Sequence, residues 1–166
     1  MSDPIDLPSS DAVTVGTVGE PGQRVFLFQA RLGATQVTLK IEKQQAAALA
    51  EAIQALLADL PDHDLAPRQE IAEPTEPLWT VGAMALSALD EATGHVTIVV
   101  REFVREEGDV AAAASATFGV TAGQLARLGQ TAAELVTGGR PSCELCGFPI
   151  DPSGHSCPKT NGHLKH

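Results

Sequence analysis

Three cysteines near the carboxyl end are the residues of this chain best suited to bind a metal ion. Cys143 and Cys146 form a C-x2-C pair followed by Gly147, and Cys157 comes further on. Two thiolates at this spacing can hold one ion, and the glycine permits a tight turn in which backbone N–H groups point at sulfur. The pattern predicts a zinc site.

A tetrahedral zinc site needs a fourth ligand, and the chain offers three histidines for it. We expect His155, because it forms a short H-x-C pair with Cys157. His163 is the alternative, since the Asn-Gly pair before it could turn the chain back toward the metal, and His166 is a more distant third. Four nitrogen and sulfur ligands leave no position for water, which favours a structural role over a catalytic one.

Residues 141–166 are therefore predicted to form a small zinc-ribbon-like module. The segment has few large apolar side chains, so it cannot build a core that would fold alone. A structural zinc ion contributes on the order of 10 kcal/mol to the folding of such a module. The cofactor that we expect is structural Zn²⁺.

The rest of the chain shows no catalytic pattern. It has no Ser-His-Asp set with a nucleophile elbow, no glycine-rich phosphate loop and no dinucleotide fingerprint. His63 is interpreted as a solvated loop residue, His95 as a residue at a strand edge and Trp79 as part of the core. We nominate no catalytic or cofactor-binding residue and expect a protein that is not an enzyme.

The charge and hydropathy of the chain limit the classes of partner that it is expected to bind. The net charge of -10 disfavours nucleic acid, whose binding depends on Lys and Arg. No apolar stretch approaches the ~18 residues that cross a bilayer, and the acidic, proline-interrupted start differs from a secretory signal. We expect a cytoplasmic protein that binds no membrane, in a compartment where clustered cysteines are metal ligands rather than disulfides.

The apolar pattern predicts an α+β domain over 13–140 made of two similar halves. In each half, three short strands precede one helix with a buried apolar stripe. Gln45 aligns with Gln124 and Leu49 with Leu128 without a gap. We predict a duplicated β-β-β-α unit that forms one antiparallel sheet with two helices.

The boundaries of these units follow from turn residues and composition. Residues 1–12 read as a flexible tail, the halves span 13–60 and 78–139, and the linker 61–77 is rich in proline and acidic residues. The predicted strands are 13–18, 24–31, 35–41, 78–87, 95–104 and 112–120. The first helix is predicted to stop at Pro61 and the second to begin at Thr121, where Gln124 completes a capping box.

The strand predicted over 24–31 is apolar on both faces. Val25 and Leu27 lie on one face, and Phe26 and Phe28 lie on the other. A sheet covered by helices on one side only would expose one of these sets. The second face needs a cover, which could be curling of the sheet, the zinc module or another subunit in a homodimer.

Several strings of the sequence resemble the DUF3090 family of actinobacteria. They are GTVGEPGQR at 16–24, EKQQ at 42–45, WTVG at 79–82 and the tail CELCGFPIDPSGHSCPKTNGH. The family has no established activity, and its members are typically found beside a kinase-like protein related to phosphoinositide kinases and a histidine phosphatase. The resemblance implies a partner in a phosphorylation-linked or regulatory system.

The tail carries the most specific part of this resemblance. The family's C-x-x-C-G-x-P-x-x-P-x-G-H-x-C-P-x-x-N-G motif carries over onto Cys143, Cys146, His155 and Cys157. In the family, the position of His163 is usually filled by another residue. The resemblance therefore implies that His155 is the fourth ligand.

We expect the whole protein to be a non-enzymatic, zinc-containing adaptor or regulator that binds another protein. Its candidate partner surface consists of polar residues near a turn and a helix start: Glu20, Gln23, Arg24, Glu42 and Gln45. One alternative is an enzyme or small-ligand-binding protein with a cleft between the halves, which would hold Glu20, Arg24 or Glu42. The other is a nucleic-acid-binding zinc ribbon, which the acidic charge disfavours.

Overall fold

The structure is a computed structural model that describes residues 3–20, 23–60, 64–105 and 113–137, and in the C-terminal segment only 145, 155–156 and 164–165. The described residues form two helices and nine strands. In chain order these are β1 (Ile5–Leu7), β2 (Ala12–Val18), β3 (Val25–Leu32), β4 (Thr35–Ile41), α1 (Lys43–Leu57), β5 (Val81–Leu86), β6 (His95–Glu102), β7 (Ser115–Thr121), α2 (Ala122–Thr137), β8 (His155–Ser156) and β9 (Leu164–Lys165). The predicted α+β class is confirmed.

The strands of the two halves form two sheets, not the one antiparallel sheet that we predicted. The first sheet is antiparallel, with the order β2-β3-β4, and the second sheet has the order β1-β7-β6-β5. An isolated bridge between Lys40 and Thr80 is where β4 meets the residue before β5. The prediction of one sheet is wrong, because this contact does not continue into a ladder that would merge the two sheets.

A short strand lies within the segment that we predicted to be a flexible tail. Residues Ile5–Leu7 form β1, which pairs in parallel with β7, so the second sheet is mixed. Leu7 is buried in the core, and the carboxylate of Asp6 accepts a hydrogen bond from Thr117 Oγ1 at 2.7 Å. The three residues alternate as a strand with one buried face does, but the run is too short to stand out among polar neighbours.

One hydrophobic core lies between the inner faces of the two sheets and the two helices. Phe28 from β3 and Phe118 from β7 meet within it, with ring centroids 5.2 Å apart and planes tilted by 47°. Both side chains are fully buried. Because tilted aromatic pairs add a directional attraction to the burial of apolar area, this contact joins the two halves of the core.

The two helices approach each other closely at a glycine. A Cβ atom at Gly129 of α2 would lie 2.7 Å from Cγ2 of Ile53 in α1, and Ile53 is fully buried. Gly129 therefore permits a helix contact that a side chain would push apart. Within the described part of the chain, no helix is both long enough and apolar enough to cross a membrane.

The first turn of α1 contains a glutamine, Gln45, that binds the backbone of the other half. The Oε1 atom of Gln45 accepts a hydrogen bond from the Glu42 N–H at 2.8 Å. Its Nε2 atom donates to the carbonyl of Val81, the first residue of β5, at 2.9 Å. One side chain therefore caps α1 and fixes the start of β5.

Helix α2 begins in the same way. The Thr121 N–H donates to Gln124 Oε1 at 2.9 Å, and the Gln124 N–H donates to Thr121 Oγ1 at 3.1 Å, which confirms the predicted capping box. The Nε2 atom of Gln124 donates to the carbonyl of Ser10, just before β2, at 2.9 Å. The two aligned glutamines thus make matching contacts, Gln45 with the start of β5 and Gln124 with the residue that lies just before β2.

Replacing the α1 glutamine tests the energetic value of this contact. We expect Gln45→Ala to lower the free energy of unfolding by about 1–3 kcal/mol, because α1 loses a cap and the buried Val81 carbonyl loses its donor. The neighbouring Gln44 is exposed and provides a matched control, and Gln44→Ala should change the stability by less than about 0.5 kcal/mol. Urea denaturation followed by circular dichroism measures both, and equal effects would contradict the role of Gln45.

Candidate functional site

The linker covers the outer face of the first sheet, which is the face turned away from the core. Its described part, 64–77, is called the linker segment below. It passes the start of α2, where the Ala66 N–H donates to the carbonyl of Gly123 at 3.2 Å. It ends beside β4, where the Leu78 N–H donates to the carbonyl of Thr38 at 2.8 Å. Between these points it crosses the strands.

A row of three buried polar side chains holds the linker segment. Thr14, Gln29 and Thr38 are direct neighbours across β2, β3 and β4, and we call them the polar row. The amide of Gln29 donates from Nε2 to the Ala72 carbonyl at 2.8 Å and accepts at Oε1 from the Ala72 N–H at 2.8 Å. This two-way pairing has the form of a contact between neighbouring strands.

The two threonines of the polar row extend the attachment on either side. Thr14 Oγ1 donates to the carbonyl of Gln69 at 2.9 Å, and Thr38 Oγ1 donates to the carbonyl of Pro74 at 3.3 Å. Gln29 Nε2 also donates to Thr38 Oγ1 at 2.9 Å. All of these partners on the linker are backbone groups, so the polar row holds an extended chain without reading its side chains.

Apolar contacts complete this cover. Leu27 lies on the outer face opposite Gly16 and is fully buried. The side chain of Ile71 packs so closely over Gly16 that a Cβ atom there would overlap it. The strand that is apolar on both faces therefore has the linker segment as its cover, and not one of the three covers suggested by the sequence.

The corresponding face of the second sheet is different. Ala85, Val99 and Thr117 are direct neighbours across β5, β6 and β7, and Thr117 aligns in sequence with Thr38 of the polar row. Ala85 is exposed, and Val99 and Thr117 are half-buried. Among the described residues, Pro8 lies against Gly119 at one end of this face. An alanine and a valine thus stand where the first sheet has Thr14 and Gln29.

An open groove lies between β5 and α1. Its volume is about 260 Å³, and its lining is mostly apolar, formed by Gln45, Ala48, Leu49, Ala52, Gly82, Ala83, Met84, Ala85 and Leu86. The Ser87 N–H donates to the carbonyl of Thr97 at 2.9 Å on the β6 side. Because hydrogen-bonded positions alternate along an antiparallel strand, the backbone groups of Met84 and Leu86 face the free edge of β5.

The matching space between β2 and α2 is filled. The volume that stays open there is only about 50 Å³, and its lining includes Ala66, Pro67 and Gln69 of the linker segment. Nε of Arg127 on α2 donates to the Ala66 carbonyl at 2.8 Å. The same linker segment that covers the outer face therefore also occupies the groove of the first sheet.

A second opening lies between the two halves, where β2, the linker segment and α2 meet. Its volume is about 590 Å³, and its charged lining residues are Arg24, Arg68, Glu70, Glu73 and Glu134. Arg68 Nη2 bonds the Glu134 carboxylate at 2.8 Å across the opening. Arg24 lines this cleft as the enzyme alternative required, whereas Glu20 and Glu42 do not.

The residues of the predicted partner surface lie near one end of the first sheet. Glu20, Gln23 and Arg24 are exposed at the β2–β3 turn, which closes as predicted through the Gln23 N–H and the Glu20 carbonyl at 2.9 Å. Glu42 is exposed at the start of α1, and the β3–β4 register brings this point beside the start of β3. Gln45 is half-buried, and its amide is engaged in the helix cap.

The predicted zinc ligands lie mostly outside the described residues, namely Cys143, Cys146, Cys157, His163 and His166. The backbone of His155 begins β8, which pairs with β9 in an antiparallel hairpin. Within the ranges that the structure describes, no three His, Cys, Asp or Glu side chains come together as a metal site. The zinc site remains a prediction.

Comparison with known proteins places the chain in a family. The model of a family described as "Protein of unknown function (DUF3090)" matches residues 6–157. The chain belongs to the DUF3090 family. No curated protein and no solved structure matches it. The family resemblance that the sequence strings indicated is confirmed.

The DUF3090 match covers both halves, the linker segment and most of the carboxyl-terminal segment 141–166. It includes Cys143, Cys146 and His155 and ends at Cys157, so His163 lies beyond it. The covered face and the open groove are therefore both features of the region that defines membership of the family. Sequence reasoning missed this pair of surfaces, although Gln29, a polar residue in an otherwise apolar strand, was a visible signal.

Replacing the central residue of the polar row tests how the linker segment is held. We expect Gln29→Leu to lower the free energy of unfolding by about 2–4 kcal/mol, because the half-buried N–H and carbonyl of Ala72 lose their partners. Gln36 makes only longer bonds to the same linker, at 3.3 and 3.4 Å, and Gln36→Leu is the control, with a loss below about 1 kcal/mol. Hydrogen exchange should rise selectively over 64–77 in Gln29→Leu, and unchanged protection there would contradict this account.

Proposed function

We propose that this DUF3090 protein is a non-enzymatic, zinc-containing adaptor or regulator that binds another protein in the groove between β5 and α1. The observation that supports this proposal is the pair of grooves. The groove between β2 and α2 already holds an extended segment of the chain, and the groove between β5 and α1 is open. An open site of this form fits an extended segment of a partner.

The free edge of β5 supports a specific mode of binding. Backbone N–H and carbonyl groups of Met84 and Leu86 face the groove, and an unpaired strand edge is a template for a further strand. Ala48 and Ala52 of α1 form the opposite wall with small side chains that leave room for those of a partner. Strand addition beside a helix would give affinity through the backbone and specificity through the pocket.

The predicted polar surface extends this binding region. Gln45 lines the groove, and Glu42 lies just before α1. Glu20, Gln23 and Arg24 lie at the neighbouring turn and are exposed to a partner. We also propose that this partner belongs to a kinase and phosphatase system. This proposal rests on the family resemblance alone.

The two halves are proposed to be a duplicated β-β-β-α unit. Three observations support this. The element order recurs, the aligned glutamines Gln45 and Gln124 make matching contacts, and each groove lies between the helix of one half and the first strand of the other. On this proposal, the linker segment follows α1 and covers one half, and the difference between the halves is a later specialisation of the open one.

The carboxyl-terminal segment 141–166 is proposed to bind one structural zinc ion. Cys143, Cys146, His155 and Cys157 supply a donor set of three thiolates and one imidazole that suits tetrahedral zinc. The ion would hold together a segment that is poor in large apolar residues.

A second candidate function is the binding of a small ligand in the cleft between the halves. Its volume of about 590 Å³ lies in the range of small-molecule sites. Arg24 and Arg68 share the lining with Glu70 and Glu73, so a ligand with both charges fits better than a simple anion. A retained ligand in the native mass spectrum of the purified protein would support this function.

Two alanines of α1 allow a matched test of partner binding. Ala52 lines the groove and Ala55 does not, although both are exposed on the same helix. We expect Ala52→Arg to reduce recovery of a partner by at least about tenfold, because the side chain fills the groove, and Ala55→Arg to leave it unchanged. Tagged full-length chains are purified from the source cells and their bound proteins quantified by mass spectrometry.

Two outcomes of this experiment would contradict the proposed function. One is the absence of any stoichiometric partner with the unmodified chain. The other is equal recovery with both variants, which would move the interface away from the groove. Urea denaturation serves as the folding check, because both substitutions should change stability by less than about 0.5 kcal/mol.

Metal content tests the proposed zinc site directly. We expect about one zinc ion per chain in protein purified without added metal, because four nitrogen and sulfur ligands form a closed site. His155→Ala and Cys143→Ser should lose the ion, and His163→Ala should keep it. Native mass spectrometry measures the metal and the subunit number together, and a metal-free unmodified chain would reject the zinc proposal.

A further inference from the structure

The open groove between β5 and α1 and the filled groove between β2 and α2 lie at equivalent places in the two halves. On the helix side, the aligned residues Gln45 and Gln124 each line their own groove. On the sheet side, the strand registers place Met84 of β5 where the first sheet has Val13, and both residues line their grooves. The contents of the first groove therefore indicate what the second groove is shaped to hold.

An arginine side chain occupies the first groove at a position where the second groove has an alanine. Arg127 of α2 is half-buried, and it donates from Nε to the Ala66 carbonyl at 2.8 Å and from Nη1 to Gln130 Oε1 at 3.3 Å. The helix alignment places Ala48 of α1 at this position, and Ala48 is exposed. The open volume is about 260 Å³ beside Ala48 and about 50 Å³ beside Arg127. The second groove thus has room for one large side chain.

The lining of the second groove is uncharged in the part of the chain that the structure describes. It consists of alanines, leucines, a glycine, Met84 and Gln45, and the amide of Gln45 is already bound to the first residue of β5. The first groove, in contrast, is lined by the charged residues Asp11 and Arg127. Because a charge buried without a partner is costly, the side chain that fills the second groove must be apolar.

The linker segment enters the first groove across the start of α2, and this route is closed in the second half. A Cβ atom at Gly123 would overlap the carbonyl oxygen of Asp64, so the linker needs a glycine at that position. The alignment places Gln44 at the same position of α1. The route left to a chain in the second groove runs along β5, where the backbone groups of Met84 and Leu86 face the free edge.

We propose that the partner segment in this groove is an extended strand with one anchor residue, a large apolar side chain of the size of leucine or phenylalanine. This inference rests on the proposed function and adds the chemistry of the partner. The strand pairs with the backbone of Met84 and Leu86, and the anchor residue lies over Ala48 and Ala52, where the first half has Arg127 and Thr131. An acidic or basic side chain at the anchor position is excluded by the uncharged walls.

Selection of peptides on the full-length chain tests this inference without knowledge of the partner. The probe is a phage-displayed library of random linear peptides, and enriched sequences are synthesised and titrated by fluorescence anisotropy. We expect the enriched peptides to share one leucine, isoleucine, methionine or phenylalanine. Replacing that residue by serine or by glutamate should lower the affinity by at least about tenfold, because the buried apolar area is lost.

A substitution in the groove checks that the peptides bind where we propose. Ala48→Arg introduces the residue that α2 has at this position, and it should weaken the peptide by at least about tenfold, because its side chain fills the groove. Ala55→Arg, on the same helix but outside the lining, should leave the affinity unchanged. Urea denaturation confirms that both variants are folded.

Hydrogen exchange checks that the peptide pairs with the edge of β5. Exchange of the Met84 and Leu86 N–H groups, measured by NMR, should slow when the peptide binds. The N–H of Ala85 faces β6 and is the internal control, with unchanged exchange. Unaltered exchange at all three positions would overturn the proposed pairing.

Failure of this inference is distinguishable from failure of the proposed function. Peptides that tolerate serine or glutamate at every position, or that bind Ala48→Arg as well as the unmodified chain, would overturn the inference. A library that yields no peptide would overturn it as well. In each case, a cellular partner that is lost in Ala52→Arg would still support the proposed function. Absence of both the peptide and the cellular partner would overturn the two together.

Discussion

The arrangement of this protein depends on one buried amide. Gln29 lies in the middle of a strand that is otherwise apolar, and its Nε2 and Oε1 atoms are both paired with the backbone of Ala72. An amide buried without such partners would cost several kcal/mol, on the order of 2–7. The first sheet can therefore keep Gln29 only while the linker crosses it, and Gln29 in turn is the central one of several contacts that hold the linker on its path.

This mutual dependence explains why the two halves present different surfaces. In the second sheet the place of Gln29 is taken by Val99, and the place of Thr14 by Ala85. Neither side chain requires a hydrogen-bond partner, so no backbone segment must lie over it. Thr14 and Gln29 thus make the first sheet depend on a cover that Ala85 and Val99 do not require in the second sheet.

Local patterns predicted the parts of the fold that local interactions determine. The capping box at Thr121 and Gln124 and the turn closed by Glu20 and Gln23 follow from residue types a few positions apart, and both are present. The division into two sheets and the role of the linker depend on contacts between distant residues, such as Gln29 with Ala72. Spacing along the chain carries no information about such contacts, although a lone polar residue in an apolar strand indicates that one exists.

The two candidate sites also differ in whether the sequence alone predicts them. The groove at β5 was missed, because a free strand edge is a property of sheet order and not of composition. The zinc ligands, in contrast, are predicted by spacing alone, and Cys143, Cys146 and Cys157 lie outside the described residues. The family match extends to Cys157, so all three cysteines lie in the part of the sequence that matches the family.

The position of β1 has a consequence for how the chain is made. Its three residues are synthesised before every other strand of the fold, yet their partner strand is β7, with Leu7 opposite Phe118. The amino-terminal strand must therefore wait unpaired until most of the polypeptide has been synthesised. Such distant pairing slows folding, so β1 completes the second sheet only after β7 has formed.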